Sequence, residues 1–242
     1  MIEKFLDFIF PPRCPVCGES VSMHGQICFV CWNKFNWLGD PKCAKCGYPF
    51  PANIEHDKNM LCPTCTQKSV IPAKAGMDWM RSASVYDDAS RGMMLPFKHG
   101  GKLQYGVPMS RTMITMLSEL PVKELTVLPV PLAYRRLWKR GYNQAALLAR
   151  PIAKHLGAEI DYNSVRRTNR ADMGHKNAKQ RKRNIVGVFR VRSPDKIKGR
   201  RILLVDDVFT TGATFDELAK TLKKAGAVWV GGITFCRTVR TI

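Results

Sequence analysis

Acidic residues are scarce in this 242-residue sequence, and long apolar runs are absent. Nineteen Asp and Glu stand against 39 Lys and Arg, which leaves a formal net charge of +20. No apolar run is long enough to span a bilayer. Glu3 and Asp7 interrupt the N-terminal apolar stretch, where a signal peptide needs an unbroken apolar core. We therefore expect a cytosolic protein without a membrane span. The charge indicates a polyanionic partner, such as nucleic acid, or a phosphate-rich ligand, with a merely solvated basic surface as the alternative.

Histidine is also scarce, with five scattered residues, whereas eight of the nine cysteines fall into four Cys-x-x-Cys pairs. Two intervening residues let both thiolates of a tight turn reach one ion, and tetrahedral Zn²⁺ takes four such ligands. Disulfides do not suit the cytosol, and a redox-active pair would not recur four times. The pairs therefore predict two structural zinc sites, built from Cys14, Cys17, Cys28, Cys31, Cys43, Cys46, Cys62 and Cys65.

The spacing leaves two alternatives open for these cysteines. We favour two successive zinc ribbons, in which the first pair joins the second and the third joins the fourth, but a cross-braced arrangement has the same spacing. An iron–sulfur cluster is a minority alternative, because spacing does not exclude it. The pattern predicts a double zinc-ribbon head over residues 1–68 and a second domain over residues 75–242. The unpaired Cys236 lies in an apolar stretch and is predicted to be buried.

The second domain contains a strand, two carboxylates, a glycine turn and a helix in succession. The apolar run of residues 202–205 is typical of a central parallel strand, and carboxylates follow it at the end where open α/β sheets bind ligands. The carboxylates suit ribose hydroxyls. The turn amides and the positive end of the helix suit a 5′-phosphate. The predicted sugar-phosphate site comprises Asp206, Asp207, Thr210, Thr211, Gly212, Ala213 and Thr214.

Basic residues concentrate in two further stretches. The first follows the predicted strand 127–132 and offers cations for a pyrophosphate at the same sheet edge: Arg135, Arg136, Lys139 and Arg140. The second, residues 166–201, carries fourteen Lys or Arg against two Asp and is the predicted nucleic-acid surface. Its candidate contacts are Arg166, Arg167, Arg170, Arg181, Lys182 and Arg183. Trp138, Tyr142 and Phe189 are nearby rings on which bases could stack, although each suits a core equally well.

The order of elements predicts the fold class. Strands alternate with helices after residue 83, so we expect an α/β domain with a right-handed, doubly wound parallel sheet flanked by helices. Gly141 is expected to begin the helix that runs to about His155. The run Val205-Asp-Asp-Val-Phe-Thr-Thr-Gly-Ala-Thr214 resembles the signature of type I phosphoribosyltransferases. The resemblance implies that phosphoribosyl pyrophosphate (PRPP) binds there with magnesium.

A wider set of motifs narrows the resemblance to one family. Pro129-Val-Pro-Leu132 and Lys139-Arg-Gly-Tyr-Asn-Gln-Ala145, between the cysteine pairs and the phosphoribosyl signature, make the chain from Cys14 onward similar to the ComF family. The resemblance implies an accessory role in natural transformation, the uptake of single-stranded DNA into the cytosol, with a helicase-type partner. An active phosphoribosyltransferase of nucleotide salvage or biosynthesis is the alternative, and an adaptor whose ribbons dock a protein is a third. The sequence assigns no catalytic residue.

Overall fold

The structure is a computed structural model that describes residues 10–55, 57–70, 76–168 and 186–239. In these ranges the strands are β1 (Trp79–Val85), β2 (Leu125–Pro129), β3 (Glu159–Ile160), β4 (Val165–Arg167), β5 (Phe189–Val191), β6 (Arg201–Phe209) and β7 (Trp229–Arg237). The helices are α1 (Phe29–Trp32), α2 (Pro63–Val70), α3 (Asp88–His99), α4 (Gly106–Thr115), α5 (Tyr134–Arg140), α6 (Gln144–Leu156) and α7 (Ala213–Lys224). None of these helices is long and apolar enough to cross a membrane.

Five parallel strands form the central sheet in the order β1-β7-β6-β2-β3. Strand β6 lies at its centre, and residues 202–205 are buried, as their apolar run predicts. From β2 the chain continues outward to β3, whereas from β6 it continues to β7 on the opposite side. The connections therefore reverse direction between β2 and β6. The carboxyl ends of these two strands flank the crevice where such sheets bind ligands.

Helices cover both faces of the sheet because successive strand side chains point to opposite faces. Leu203 and Val205 of β6 share a core with buried side chains of α4 and α6. Ile202 and Leu204 share a second core with Phe215 and its neighbours on α7. The prediction of an α/β domain with a parallel sheet flanked by helices is confirmed. Strands β4 and β5 form a separate antiparallel pair, which packs against the second core.

The cysteine-rich head packs along β1, the edge strand of the sheet. The backbone amide of Val85 donates to the carbonyl oxygen of Asn36, and that of Met80 donates to the carbonyl oxygen of Lys45, both at 2.8 Å. Gly47 sits against this contact with a left-handed φ of +63°, and a Cβ there would lie 3.0 Å from the Met80 carbonyl oxygen. The head therefore continues the backbone hydrogen bonding of the sheet beyond its last strand.

Candidate functional site

The eight paired cysteines form two clusters, and the sequential pairing is confirmed. The four Sγ atoms of each cluster lie within 4.8 Å of one another. The first cluster is Cys14, Cys17, Cys28 and Cys31, and the second is Cys43, Cys46, Cys62 and Cys65. Four thiolates complete a tetrahedral zinc shell and leave no position for a substrate, so both clusters fit structural zinc.

Backbone geometry supports the metal assignment. The amide of Cys28 donates to Sγ of Cys14 at 3.4 Å, and the amide of Cys62 donates to Sγ of Cys43 at 3.3 Å. Such donors stabilise the thiolate form that binds zinc. The apolar cluster around the second site is small, consisting of the cysteines and a few partly buried neighbours. A zinc ion held by these thiolates would supply much of the folding energy of the head.

The two predicted carboxylates lie within β6, which extends past them to Phe209. The backbone amide of Asp207 donates to Oδ1 of Asp206 at 2.9 Å. Asp207 itself is buried, and its Oδ1 lies 2.9 Å from Nζ of Lys98, near the end of α3. Sequence reasoning did not name Lys98 as a site residue. Its place in the site depends on the packing of α3 beside the end of β6, which the sequence around Lys98 does not specify.

Asp206 has an unusual protonation equilibrium. Burial and then the adjacent charge of Asp207 raise the pKa of Asp206 to about 7, while the charge of Lys98 opposes them. A nearby divalent cation favours the ionised form of a carboxyl group. Binding of a metal-bearing ligand would therefore release a proton from Asp206 near neutral pH.

The glycine turn after β6 requires glycine for two reasons. Gly212 has a left-handed φ of +74°, and a Cβ there would lie 2.7 Å from Cζ of Phe209. Helix α7 begins at the next residue, and the Ala213 amide donates to Oγ1 of Thr211 at 3.4 Å. Thr210 and Thr211 are exposed to solvent. The turn thus brings exposed hydroxyls and the positive end of a twelve-residue helix next to the carboxylates.

A basic cavity of about 540 Å³ lies beside Asp207. Its lining consists of Lys98, His99, Gly101, Arg136, Lys139, Arg140 and Tyr142. Partial desolvation, followed by the charges of Arg140, Lys98 and Lys139, lowers the pKa of His99, which favours its neutral form. Lys98 belongs to both the cavity and the carboxylate pair. The cavity and the end of β6 therefore form one continuous site of mixed charge.

Helix α5 carries all four residues of the predicted pyrophosphate loop. Three of them line the cavity, and Arg135 is exposed. The expectation that Gly141 begins the next helix is wrong. Gly141 ends α5 in the left-handed region, at φ +76°, and α6 begins at Gln144. The side chain of Asn143 caps α6 by accepting the Ala145 amide at 3.1 Å. A left-handed glycine terminates a helix more readily than it begins one.

The predicted nucleic-acid residues are only partly described. Arg166 is exposed on β4, and the guanidinium of Arg167 lies 5.6 Å from the ring centroid of Phe189. Phe189 is buried, so it is core rather than a stacking surface. The hydroxyl of Tyr142 donates to the Phe97 carbonyl oxygen. The remaining candidates, Arg170, Arg181, Lys182 and Arg183, lie outside the described residues.

One buried arginine connects the head to the glycine turn. Arg237, at the end of β7, donates from Nη1 to the carbonyl oxygen of the zinc ligand Cys46. Its guanidinium also lies 5.2 Å from the ring centroid of Tyr48 and 5.1 Å from that of Phe209. Because Phe209 fills the space beside Gly212, the second ribbon and the turn share a continuous set of contacts.

Two family descriptions match separate parts of the chain. "Double zinc ribbon domain" matches residues 5–66, and "Phosphoribosyl transferase domain" matches residues 143–240. The first match agrees with the two cysteine clusters. The second includes α6, β6, the glycine turn and β7.

Named relatives extend these matches over nearly the whole chain. "DNA utilization protein YhgH" of Escherichia coli (strain K12) is 31% identical over 240 residues, which are 95% of this chain and 98% of the relative. "Competence protein F" of Haemophilus influenzae is 39% identical over 102 residues, 41% of this chain and 44% of the relative. "Competence protein ComFC" of Bacillus subtilis is 25% identical over 216 residues, 88% and 85% of the two chains. With its double zinc ribbon and its phosphoribosyltransferase domain, this chain therefore belongs to the ComF family.

Proposed function

We propose that this protein is an accessory factor for natural transformation that binds PRPP with magnesium at the end of β6 and single-stranded DNA on its basic surface. The observation that carries the proposal is the contact between Lys98 and Asp207, at 2.9 Å. This contact connects the two carboxylates of β6 to the basic cavity, at the crevice between the carboxyl ends of β2 and β6. PRPP needs such a mixed site because it has ribose hydroxyls between two phosphate ends.

Each part of the site suits one part of PRPP. Asp206 and Asp207 would accept hydrogen bonds from the ribose hydroxyls and attract the magnesium ion. The turn at Gly212 and the start of α7 would receive the 5′-phosphate. The cations of the cavity, which include Arg136 and Arg140, would receive the pyrophosphate. Magnesium would supply charge neutralisation for the phosphate oxygens.

The DNA half of the proposal rests on charge and on the family. A net charge of +20 favours association with a polyanion, and relatives over most of the chain are named for competence or DNA utilization. A cytosolic, DNA-translocating helicase is the partner that a role in DNA uptake implies. Of the six arginines and lysines predicted to contact nucleic acid, Arg166 and Arg167 lie on the described part of the chain.

Calorimetric titration of PRPP with Mg²⁺ tests the ligand site. The double substitution Asp206→Ala with Asp207→Ala should weaken binding, because each hydrogen bond to a charged group left unmade costs about 1–3 kcal/mol. The exposed Asp195→Ala is the matched control and should bind as the unaltered protein does. Unchanged PRPP affinity in the double variant would reject the site.

The same site would also serve a phosphoribosyltransferase, because such enzymes work mainly by positioning PRPP and a nucleophile. An assay for pyrophosphate release with each nucleobase separates the two functions. Release with any one base would favour the enzyme. PRPP binding without release, together with binding of single-stranded DNA, would favour the accessory factor.

A further inference from the structure

Helix α5 turns its apolar side chains towards solvent. Trp138 is 82% exposed, Tyr134 is 68% exposed and Leu137 is 37% exposed. At 100° per residue these three positions share one face of the helix. The neighbouring helix α6 does the opposite, since Leu148 and Ile152 are fully buried in the core. An exposed face with two aromatic rings is therefore a specific feature of α5 and not of the sheet's helices generally.

The opposite face of α5 is cationic. Arg136, Lys139 and Arg140 line the cavity beside the carboxylates. Arg135, also on that half of the helix, is exposed to solvent. The helix thus separates two surfaces, with cations on the cavity side and rings on the outer side. Any anionic chain that passes the mouth of the cavity would meet the cations and the rings within two turns of one helix.

Contacts at its C-terminal end hold α5 in this orientation. The amide of Gly141 donates to the Leu137 carbonyl oxygen at 2.8 Å. Nη1 of Arg140 donates to Oε1 of Gln144 at 3.1 Å, which ties the last turn to α6. Nδ2 of Asn143 donates to the carbonyl oxygen of Val130 at 3.2 Å, which ties the following loop to the end of β2. The rings are therefore presented by an anchored helix.

We propose that α5 is the stacking platform for single-stranded nucleic acid, with bases on Trp138 and Tyr134 and a phosphodiester on Arg135, the cation of α5 that does not line the cavity. This inference rests on the proposed binding of single-stranded DNA and assigns the element that recognises it. Aromatic rings stack on any base, and adjacent arginines neutralise the backbone, so such a surface binds without sequence preference. In duplex DNA the base faces are already stacked, which would leave Trp138 without a partner.

The charge of α5 indicates which kind of ligand its exposed aromatic face binds. An acidic macromolecule suits a helix whose other face carries four cations. A protein partner would be expected to bury a larger apolar area than three side chains provide. Insertion into an anionic membrane is also unfavourable, because a seven-residue helix offers only two turns of apolar surface. Single-stranded nucleic acid is the acidic partner that uses both the ring faces and the arginines.

Fluorescence anisotropy with labelled 20-mers tests the proposal on the full-length, zinc-loaded protein. One oligonucleotide is oligo(dT), and the other is an abasic strand with the same phosphates. Trp138→Ala should lower the affinity for oligo(dT) by about 5- to 150-fold, the range expected for loss of one stacked base. Trp138→Phe should retain most of the affinity for oligo(dT), because phenylalanine can still stack on a base. The matched control is Phe29→Ala, because Phe29 is another exposed aromatic residue, 79% exposed on α1 of the zinc-ribbon head.

Two readouts distinguish stacking from a general loss of binding. Trp138→Ala should leave the slope of log K against log salt unchanged and should bind the abasic strand as the unaltered protein does. Arg135→Ala should reduce that slope by about 0.7 for one phosphate released. Wild-type affinity for oligo(dT) in Trp138→Ala would overturn the platform while leaving DNA binding intact. The platform would also be overturned if Trp138→Ala lost as much affinity for the abasic strand as for oligo(dT), or if the unaltered protein bound duplex DNA as tightly as oligo(dT). A Trp138→Ala variant that lost binding to anionic lipid vesicles but not to oligo(dT) would overturn it as well. If the unaltered protein binds no single-stranded DNA, both this inference and the proposed DNA function fail.

Discussion

Replacing Asp206 by Asn should stabilise the ligand-free protein, and the gain should grow as the pH rises. Burial and the adjacent Asp207 raise the pKa of Asp206 from its ordinary value of 3.8 to about 7. Between these two pH values the folded protein holds a proton that the unfolded chain has released. The free energy of unfolding therefore falls with increasing pH in this window. Asparagine removes the titration but keeps an oxygen that can accept the amide of Asp207.

The size of the effect follows from the pKa shift. A rise in pKa from 3.8 to about 7 corresponds to about 4 kcal/mol once both the folded and unfolded states are ionised, above pH 7. At pH 5 the unfolded chain is already ionised, and only about 1–2 kcal/mol of that destabilisation has developed. The stabilisation by Asp206→Asn should therefore increase by about 2–3 kcal/mol between pH 5 and pH 8, and it should level off above pH 7.

Urea unfolding followed by circular dichroism at pH 5, 6, 7 and 8 measures this dependence. The exposed Asp195→Asn is the control substitution and should change the free energy of unfolding by less than about 0.5 kcal/mol throughout. A gain for Asp206→Asn that is constant across the four pH values would refute the argument from burial. So would a variant that is less stable than the unaltered protein at pH 8.

Gly212→Ala should destabilise the protein by about 1–3 kcal/mol in thermal melts, because it strains a left-handed position and meets an aromatic ring. Gly199→Ala, at φ +72° with open space around it, isolates the backbone strain and should cost less. Elemental analysis should find two zinc ions per chain, and Cys43→Ser should lose one of them; iron in their place would contradict the assignment. Arg237→Met should speed zinc release to a chromogenic chelator by roughly tenfold, because it removes a charged hydrogen bond to the second ribbon. Equal release rates would show that this contact does not support the metal site.

Local patterns predicted the centre of the sheet and the clusters of cysteines. A four-residue apolar run specifies a buried strand because burial on both faces leaves few other residue types. Cys-x-x-Cys spacing specifies a metal turn because the two thiolates must reach one ion. Neither inference depends on the rest of the chain. The same holds for Gly212, where a turn, a carboxylate pair and a helix start are adjacent in sequence.

Contacts between distant segments were beyond such patterns. Lys98 reaches Asp207 only because α3 packs beside the end of β6. Trp138 and Phe189 look equivalent in sequence, yet one is exposed and the other is buried. Which ring is exposed depends on the orientation of α5 and on the packing of β5 against α7. The attachment of the head to β1 through Arg81 and its neighbours is also a tertiary outcome, since the Arg81 guanidinium donates to the Ala44 carbonyl oxygen at 3.0 Å.

The hydrogen bonds between the head and β1 also affect the tendency of this protein to aggregate. An uncovered edge strand offers a row of amides and carbonyls that another chain can pair with, which is a common route to aggregation. In this fold the ribbons occupy that row, through Asn36 and Lys45 among others. Structural zinc sites generally fold only with their metal, so zinc starvation or a strong chelator would be expected to unfold the ribbons and uncover the backbone amides and carbonyls of β1. Metal-depleted protein would then precipitate as intermolecular sheet instead of persisting as a soluble, headless phosphoribosyltransferase domain.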